Sequence, residues 1–248
     1  MIKFRKKYIL LLILISVNIA AADIEGIDIL KMSDEKFFPG EARFIFRMED
    51  YEGDEFKRYY LFEGYVKGLD RYILIGLEPA VNRGHVHLRV DDIIFSYLKK
   101  IDRIKQVSAN VAFHKSMLSQ EDVLSMKLSN FYNVESCREN IFDDEEVYVL
   151  ELAAKSNKVA YHKVVCYIDK NNLLPVKREY FSYSGHRIKE MLIDEIIIEE
   201  NKLKALRFTM VNSLYGQRYT KVFMEDFDYS QPIPDLYFST ASMKILAR

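Results

Sequence analysis

The chain has 248 residues, 29% of them charged, and a formal net charge of −1 at pH 7. This balance leaves no basic excess for nucleic acid, so binding to a phosphate backbone is not expected. Two cysteines are too few for a disulfide framework, and an ordinary apolar core must supply most of the stability. The chain has no internal repeat and no low-complexity stretch.

The N-terminal residues have the three parts of a secretory signal peptide. Four cations within residues 3–7 precede an apolar run over residues 8–20, and small residues follow at Ala20 and Ala22. The run is shorter than the roughly 20 residues that span a bilayer. We therefore predict a signal peptide that is cleaved before Asp23, with an uncleaved anchor as the alternative.

Cleavage after residues 1–22 would leave residues 23–248 as a single soluble domain in the periplasm. Removing the four signal-peptide cations from the charge of −1 leaves −5 for this domain. Because no cysteine lies near the cut, the lipid-modified N-terminus of a lipoprotein is not expected. An oxidising compartment permits a disulfide between Cys137 and Cys166 if their backbones come close enough, and the sequence leaves both states open.

The mature sequence begins with a helical pattern and continues as a series of short strands. Residues 23–38 place Ile24, Ile27 and Leu30 near helical spacing before a Pro-Gly pair. Apolar and polar residues then alternate in short runs between turn residues. The predicted strands cover residues 41–48, 60–67, 71–77, 85–90, 93–98, 146–153, 159–168, 175–182, 188–198, 203–211 and 219–229. Many strands without alternating helices favour a mainly β, antiparallel meander.

A short helix interrupts this series in the middle of the chain. Ser119 followed by Asp122 is similar to a capping box, and the helix that it starts carries Val123 and Leu124. A long meander with a helical segment at its midpoint suggests a curved sheet with something laid across its open side. We predict that residues 111–128 form a movable cover.

Several strands are apolar on both faces. In one strand Tyr72 and Leu74 oppose Ile73 and Ile75. Such a sheet must be covered on both faces or must close around something apolar. An incomplete β-barrel around hydrocarbon fits this pattern, and so does an ordinary β core. Since burying one methylene gains about 0.8 kcal/mol, an apolar cavity could bind a lipid chain through its area alone.

Alternating residues of the first strands are the candidate lipid-binding positions. Together with two residues of the predicted cover, the candidates are Phe44, Phe46, Met48, Phe62, Leu74, Met117 and Leu124. Arg43 and Arg47 share the other face of the first strand, either as surface cations or as contacts to the cover.

The sequence offers little for catalysis or metal binding. His85 and His87 share one face of a strand, but a metal site needs a third ligand and none is close in sequence, so exposed histidines are expected. The acidic residues 143–146 lack the spacing of a calcium loop and indicate a solvated turn. The chain contains no nucleophile elbow and no phosphate loop. We expect no enzyme, no metal and no cofactor.

Four stretches of the mature chain carry motifs of a known family. They are residues 95–105 (FSYLKKIDRIK), 115–122 (KSMLSQED), 167–175 (YIDKNNLLP) and 233–239 (IPDLYFS). They contain an aromatic-x-Tyr segment, an acidic pair before a short helix, an Asp before a polar turn and a Pro, and a closing Pro-Asp-x-x-Phe signature. In order and spacing the chain resembles the LolA/LolB-like superfamily, particularly its outer-membrane lipoprotein-sorting branch.

The resemblance implies an incomplete antiparallel half-barrel whose short helices form a lid over an apolar cavity. It also implies a soluble periplasmic carrier, expected to be a monomer, that binds lipoprotein or lipid acyl chains. Such a carrier would accept cargo from an inner-membrane ABC-type exporter and hand it toward an outer-membrane acceptor. Related proteins handle glycolipids or sense misplaced lipoproteins, so the fold leaves the cargo open. A periplasmic sensor or protein-interaction module without transported cargo is the alternative.

Overall fold

The structure is a computed structural model that describes residues 25–37, 40–68, 70–124, 127–213 and 217–247. The predicted signal peptide lies outside these ranges. None of the helices within them is long and apolar enough to cross a membrane.

One antiparallel sheet of thirteen strands dominates the described chain. The strands are β1 (Glu41–Glu52), β2 (Glu55–Lys67), β3 (Arg71–Glu78), β4 (Val86–Val90), β5 (Ile93–Leu98), β6 (Arg103–Val107), β7 (Tyr132–Phe142), β8 (Glu145–Ala154), β9 (Lys163–Asp169), β10 (Pro175–Phe181), β11 (Arg187–Glu199), β12 (Lys202–Asn212) and β13 (Arg218–Asp228). Their order across the sheet is β6-β5-β4-β3-β2-β1-β13-β12-β11-β10-β9-β8-β7. Two meanders, β1 to β6 and β7 to β13, are therefore joined where β1 pairs with β13. The predicted mainly β, antiparallel class is confirmed.

The helices of the described chain are short. They are α1 (Gly26–Phe37), α2 (Gln120–Leu124) and α3 (Thr240–Leu246), with 3-10 turns at Ala80–Asn82, Lys99–Ile101 and Asp235–Phe238. α2 begins with the predicted capping box, in which the Ser119 N–H donates to Asp122 Oδ2 (2.7 Å) and the Asp122 N–H donates to Ser119 Oγ (3.2 Å). The helix predicted over residues 23–38 is α1, and the ends of that prediction lie outside the described residues.

The alternation of apolar residues located most strands but missed the two at the edges. β6 and β7 have largely exposed side chains, so neither shows an alternating apolar pattern. β1 also runs on to Glu52, which confines the following turn to Gly53 and Asp54.

The sheet is curled, as its strand twist favours, and the connection between its two edge strands crosses the concave side. This connection runs from β6 to β7 and contains the predicted cover, of which all but residues 125–126 are described. At the rim, Lys158 Nζ of the β8–β9 loop lies 2.6 Å from Asp92 Oδ2 of the β4–β5 turn. This exposed ion pair spans the gap between the two ends of the half-barrel.

A C-terminal segment covers part of the convex face. The residues that meet there are Ile73, Ile75, Val86, Leu88 and Tyr97 of the sheet and Ile233, Phe238, Met243 and Ala247 of the C-terminal segment. The opposite side chains of β3, Tyr72 and Leu74, belong to the main core on the concave face. Each apolar face of β3 therefore has a protein cover of its own, and the two-faced pattern does not by itself require hydrocarbon.

Cys137 and Cys166 are free thiols. Cys137 of β7 and Cys166 of β9 both pair with Leu150 of β8. Since adjacent strands lie about 4.8 Å apart, the two backbones are separated by about 10 Å, which exceeds the span of a disulfide. The disulfide that the sequence permitted is therefore not formed.

The packing of α3 predicts unequal effects of two alanine substitutions in that helix. Met243 is fully buried, whereas Ile245 is 53% exposed. We expect Met243→Ala to lower the free energy of unfolding by about 2–4 kcal/mol, because it leaves a cavity. Ile245→Ala should change it by less than about 0.5 kcal/mol. Urea unfolding of both variants tests this, and equal effects would show that α3 is not docked on the sheet.

Candidate functional site

The side chains predicted to bind lipid gather on the concave face of the sheet. Six of the seven, Phe44, Phe46, Met48, Phe62, Leu74 and Leu124, are at most 2% exposed. Alternation turns one face of β1 inward, and strand pairing sets Phe46 opposite Phe62 of β2. Met117 of the cover is half-buried and packs against the same core. The structure thus brings the predicted residues together, and their contact with lipid stays a prediction.

The cover fills this concave face with its own side chains. The ring of Phe113 lies 6.5 Å from that of Phe46 and 5.4 Å from that of Phe62, measured between centroids. Leu118 and Leu124 of the cover are fully buried in the same core. The cover therefore closes the part of the concave face that contains Phe46 and Phe62.

A chain of hydrogen bonds ties the cover to the middle of the sheet. The Met117 N–H donates to Thr220 Oγ1 (3.0 Å), and the Thr220 hydroxyl donates to Asp50 Oδ1 (2.6 Å). Arg58 Nε donates to the other oxygen of Asp50 (2.9 Å). Thr220 is fully buried, so these directional bonds hold the cover at one position over β13 and β1.

Two buried acids anchor α2 to the far half of the sheet. Asp122 Oδ2 accepts hydrogen bonds from the Tyr161 hydroxyl (2.6 Å) and from Lys189 Nζ (3.2 Å). Glu121 accepts from the Tyr132 hydroxyl (3.0 Å) and from the backbone N–H of Ala160. Burial raises the pKa of Glu121 and of Tyr161. The sequence indicated Asp122 as a helix cap. Its bond to Lys189 could not be predicted from neighbouring residues, because the two residues are 67 positions apart in the chain.

Two histidines meet where the cover contacts β4. His87 is 5% exposed; its Nδ1 lies 2.9 Å from Ser96 Oγ and its Nε2 lies 2.9 Å from His114 Nε2. Burial lowers the pKa of His87, and the charges of the neighbouring His114 and His85 lower it further. Burial, together with the charge of His85, lowers the pKa of His114 to about 4. The expectation that both strand histidines are exposed is wrong: the cover buries His87, and His85 is half-buried.

The backbone of the cover is strained where His114 contacts His87. His114 and Lys115 have φ of 49° and 61°, in the left-handed region that non-glycine residues disfavour. Such residues cost on the order of 1 kcal/mol each and persist where the surrounding packing holds them. The tip of the cover is therefore held in place against a local backbone preference.

The sequence left open whether Arg43 and Arg47 are surface cations or contacts to the cover, and both lie on the face opposite the cover, as surface cations. Arg43 Nε lies 2.6 Å from Glu63 Oε1, and Arg47 bonds to Glu49 and lies 3.8 Å from the centroid of the Phe223 ring. Alternation along β1 turns both side chains to the convex face, opposite Phe46. The alternative, a contact between these arginines and the cover, is replaced by these bonds.

The described residues contain no group of three His, Cys, Asp or Glu side chains arranged to hold a metal ion. The acidic residues 143–146 are all exposed: Asp143 and Asp144 form the turn between β7 and β8, and Glu145 and Glu146 begin β8.

The curled antiparallel sheet with a covered concave face is the fold of the LolA superfamily. It is shared with a LolA superfamily protein from Nitrosomonas europaea (TM-score 0.79, 23% identity), with alignment over 88% of this chain and 99% of that one. A DUF1329 family protein from Desulfovibrio piger matches with a TM-score of 0.77 and 19% identity, over 88% and 97% of the two chains. A Vibrio parahaemolyticus domain described as an outer-membrane lipoprotein-sorting protein matches with a TM-score of 0.74 and 20% identity, over 88% and 98%.

A family model whose description reads "uncharacterized protein" matches residues 68–245, and the chain belongs to that family. Among proteins with curated descriptions, none matches the chain. The structural likenesses confirm the LolA-like fold that the sequence motifs indicated.

The buried histidines predict a loss of stability in acid. His114 has a pKa of about 4 in the folded chain, whereas the unperturbed value is 6.5. The unfolded chain therefore binds more protons between these values, and the free energy of unfolding should fall as the pH drops from about 6.5 to 4. We expect a fall of roughly 2–3 kcal/mol.

His114→Asn should reduce this pH dependence, because the substituted side chain does not titrate. Urea unfolding at several pH values measures it, and His186→Asn, at an exposed turn, is the matched control. Equal pH slopes for the unmodified chain and His114→Asn would contradict the prediction.

Proposed function

We propose that this chain binds the acyl chains of a lipoprotein or lipid on its concave face, beneath the displaced cover, and carries them through the periplasm from the inner toward the outer membrane. The observation that supports this is the apolar concave face of a LolA-like half-barrel, closed by a separate segment of the chain. The proposed role is transfer without chemistry, so no side chain acts as a catalyst.

The energetics of the cover suit a reversible carrier. Burying a Phe, Leu or Val side chain contributes about 1.5–3 kcal/mol, so the five buried apolar residues described in the cover contribute on the order of 10 kcal/mol. These residues are Phe113, Leu118, Val123, Leu124 and Leu128. An acyl chain that buries a dozen methylenes contributes a similar amount. Ligand and cover would thus compete for one surface on nearly equal terms, and a partner could shift the balance in either direction.

The proposal includes two partners. An inner-membrane ABC-type exporter would load the open state, and an outer-membrane acceptor would favour the closed state and so release the cargo. A ligand shifts such an equilibrium only by its difference in affinity for the two states, so each partner must contact the cover or its anchors differently when open and closed.

A sensor or protein-interaction module of the same fold is the second candidate. The observation that favours it is the concave face itself, which the chain's own Phe113, Leu118 and Leu124 fill. Such a module would bind a protein partner with the cover in place.

Locking the cover tests the carrier. Met117 Sδ lies 3.7 Å from Asn212 Nδ2 of β12, so cysteines at these two positions can be joined by a short thiol crosslinker. Cys137→Ser removes the exposed native thiol from the background. We expect the crosslinked chain to take up fluorescent phosphatidylethanolamine from phosphatidylcholine vesicles at least about tenfold less than the same chain before crosslinking.

The matched control joins two residues away from the cover. Arg43 and Glu63 lie side by side on the convex face, so cysteines there receive the same crosslink without holding the cover. Uptake that survives the lock between residues 117 and 212 would contradict a displaced cover. An unmodified chain that takes up no lipid would favour the interaction module.

A further inference from the structure

Arg89 is a buried cation that has no role in the proposed carrier mechanism. It lies on β4 and is 4% exposed. Its Nε donates to the carbonyl of Asp91 (2.9 Å), and its guanidinium carbon lies 4.5 Å from the centroid of the Phe131 ring. Nη1 is buried and has no hydrogen-bond partner among the described residues. The guanidinium therefore lacks the partners that a buried charge normally has.

The acids around Arg89 act on it through charge. Burial lowers the pKa of Arg89, and the charge of Glu121, followed by those of Tyr72, Asp92 and Asp70, opposes that shift. Both Glu121 oxygens are already engaged, by Tyr132 and by the backbone N–H of Ala160. A buried ion that lacks a bonded counterion destabilises the folded chain. An anion bound beside the guanidinium would offset this cost.

A small pocket brings further cations to the same place. Its volume is about 150 Å³, and the polar residues that line it are Arg89, Asp92, Asn130, Lys155, Ser156 and Lys158. Lys155 Nζ donates to the Ser129 carbonyl (2.7 Å), and Lys158 Nζ lies 2.6 Å from Asp92 Oδ2. Three cations face one carboxylate, so the pocket has a positive balance. Its size suits a phosphate group and is too small for an acyl chain.

The pocket lies beside the cover, because Asn130 and Phe131 of its lining follow the cover in the chain. A second groove of about 520 Å³ shares Asp92, Lys158 and Val159 with it and is lined further by Ile94 and Val107. Val159 and Phe131, at the border of the small pocket, pack against the core beneath the cover. A phosphate held by Arg89 would thus place its attached hydrocarbon at the edge of the concave face.

We propose that Arg89, Lys155 and Lys158 form a binding site for the phosphate head group of an anionic lipid at the rim of the half-barrel. The inference rests on the proposed carrier function and adds the head-group chemistry of its cargo. A guanidinium bonds two phosphate oxygens at once, and two lysines beside it neutralise the remaining charge.

Two soluble lipids that differ only in the phosphate test this site. We expect the full chain to bind dioctanoyl phosphatidate at least about tenfold more tightly than dioctanoylglycerol, as measured by calorimetry. Arg89→Met should remove this preference, and Lys158→Met should reduce it. Arg207→Met is the matched control, because Arg207 is an exposed arginine that pairs with Glu225.

Folding of the variants is checked by thermal unfolding. Since Arg89→Met removes a buried charge that lacks a carboxylate partner, its melting temperature without ligand should not fall. Lys158 has a largely exposed side chain, so we expect Lys158→Met to fold. It therefore tests the site even if Arg89→Met unfolds.

The outcomes separate the two proposals. Equal affinity for both lipids would overturn the head-group site while leaving the carrier intact, and binding of neither lipid would overturn both. Stabilisation by inorganic phosphate without a preference for phosphatidate would assign the pocket to free phosphate and overturn the lipid head group.

Discussion

Phe113 contacts Phe46 and Phe62 at the point where the cover meets the concave face, and the rest of the molecule depends on this packing. An antiparallel sheet with an apolar concave face is not stable if that face is exposed to water. The two edge strands, β6 and β7, lie at opposite ends of the strand order, so the segment that joins them must cross the opening. The topology therefore supplies the cover, and the apolar residues of that segment make it stable.

Apolar and polar contacts have different roles in the closed state. Apolar packing is not directional, so hydrocarbon can replace Phe113 or Leu118 without leaving an unpaired group. The bonds from Met117 to Thr220 and from Asp122 to Tyr161 and Lys189 are directional, and moving the cover would expose them to water. They define one closed position. Because hydrogen bonds exchanged with water contribute little net stability, these bonds suit the reversible opening that the proposed carrier requires.

Most of the fold was predictable, because alternation is a local property. Eight of the eleven predicted strands begin and end within one residue of the observed bounds, whereas β1, β2 and β9 differ by four or five residues at one end. Ser119 with Asp122 correctly marks the start of α2. β7 was missed because an edge strand with exposed side chains has no apolar face to reveal it. The candidate lipid-binding residues were found by the same alternation, which turns Phe44, Phe46 and Met48 to one side.

The sequence by itself determined most of the strands, the antiparallel class, the family motifs and which β1 residues share a face, since all of these depend on residues close along the chain. Only the tertiary structure decided that α3 covers the convex face, that His87 meets His114, and that Arg89 is buried beside Lys158. Each of these contacts joins segments that are distant in sequence. The two-residue alternation of a strand predicts which side chains share a face, but it does not predict which distant residues they contact.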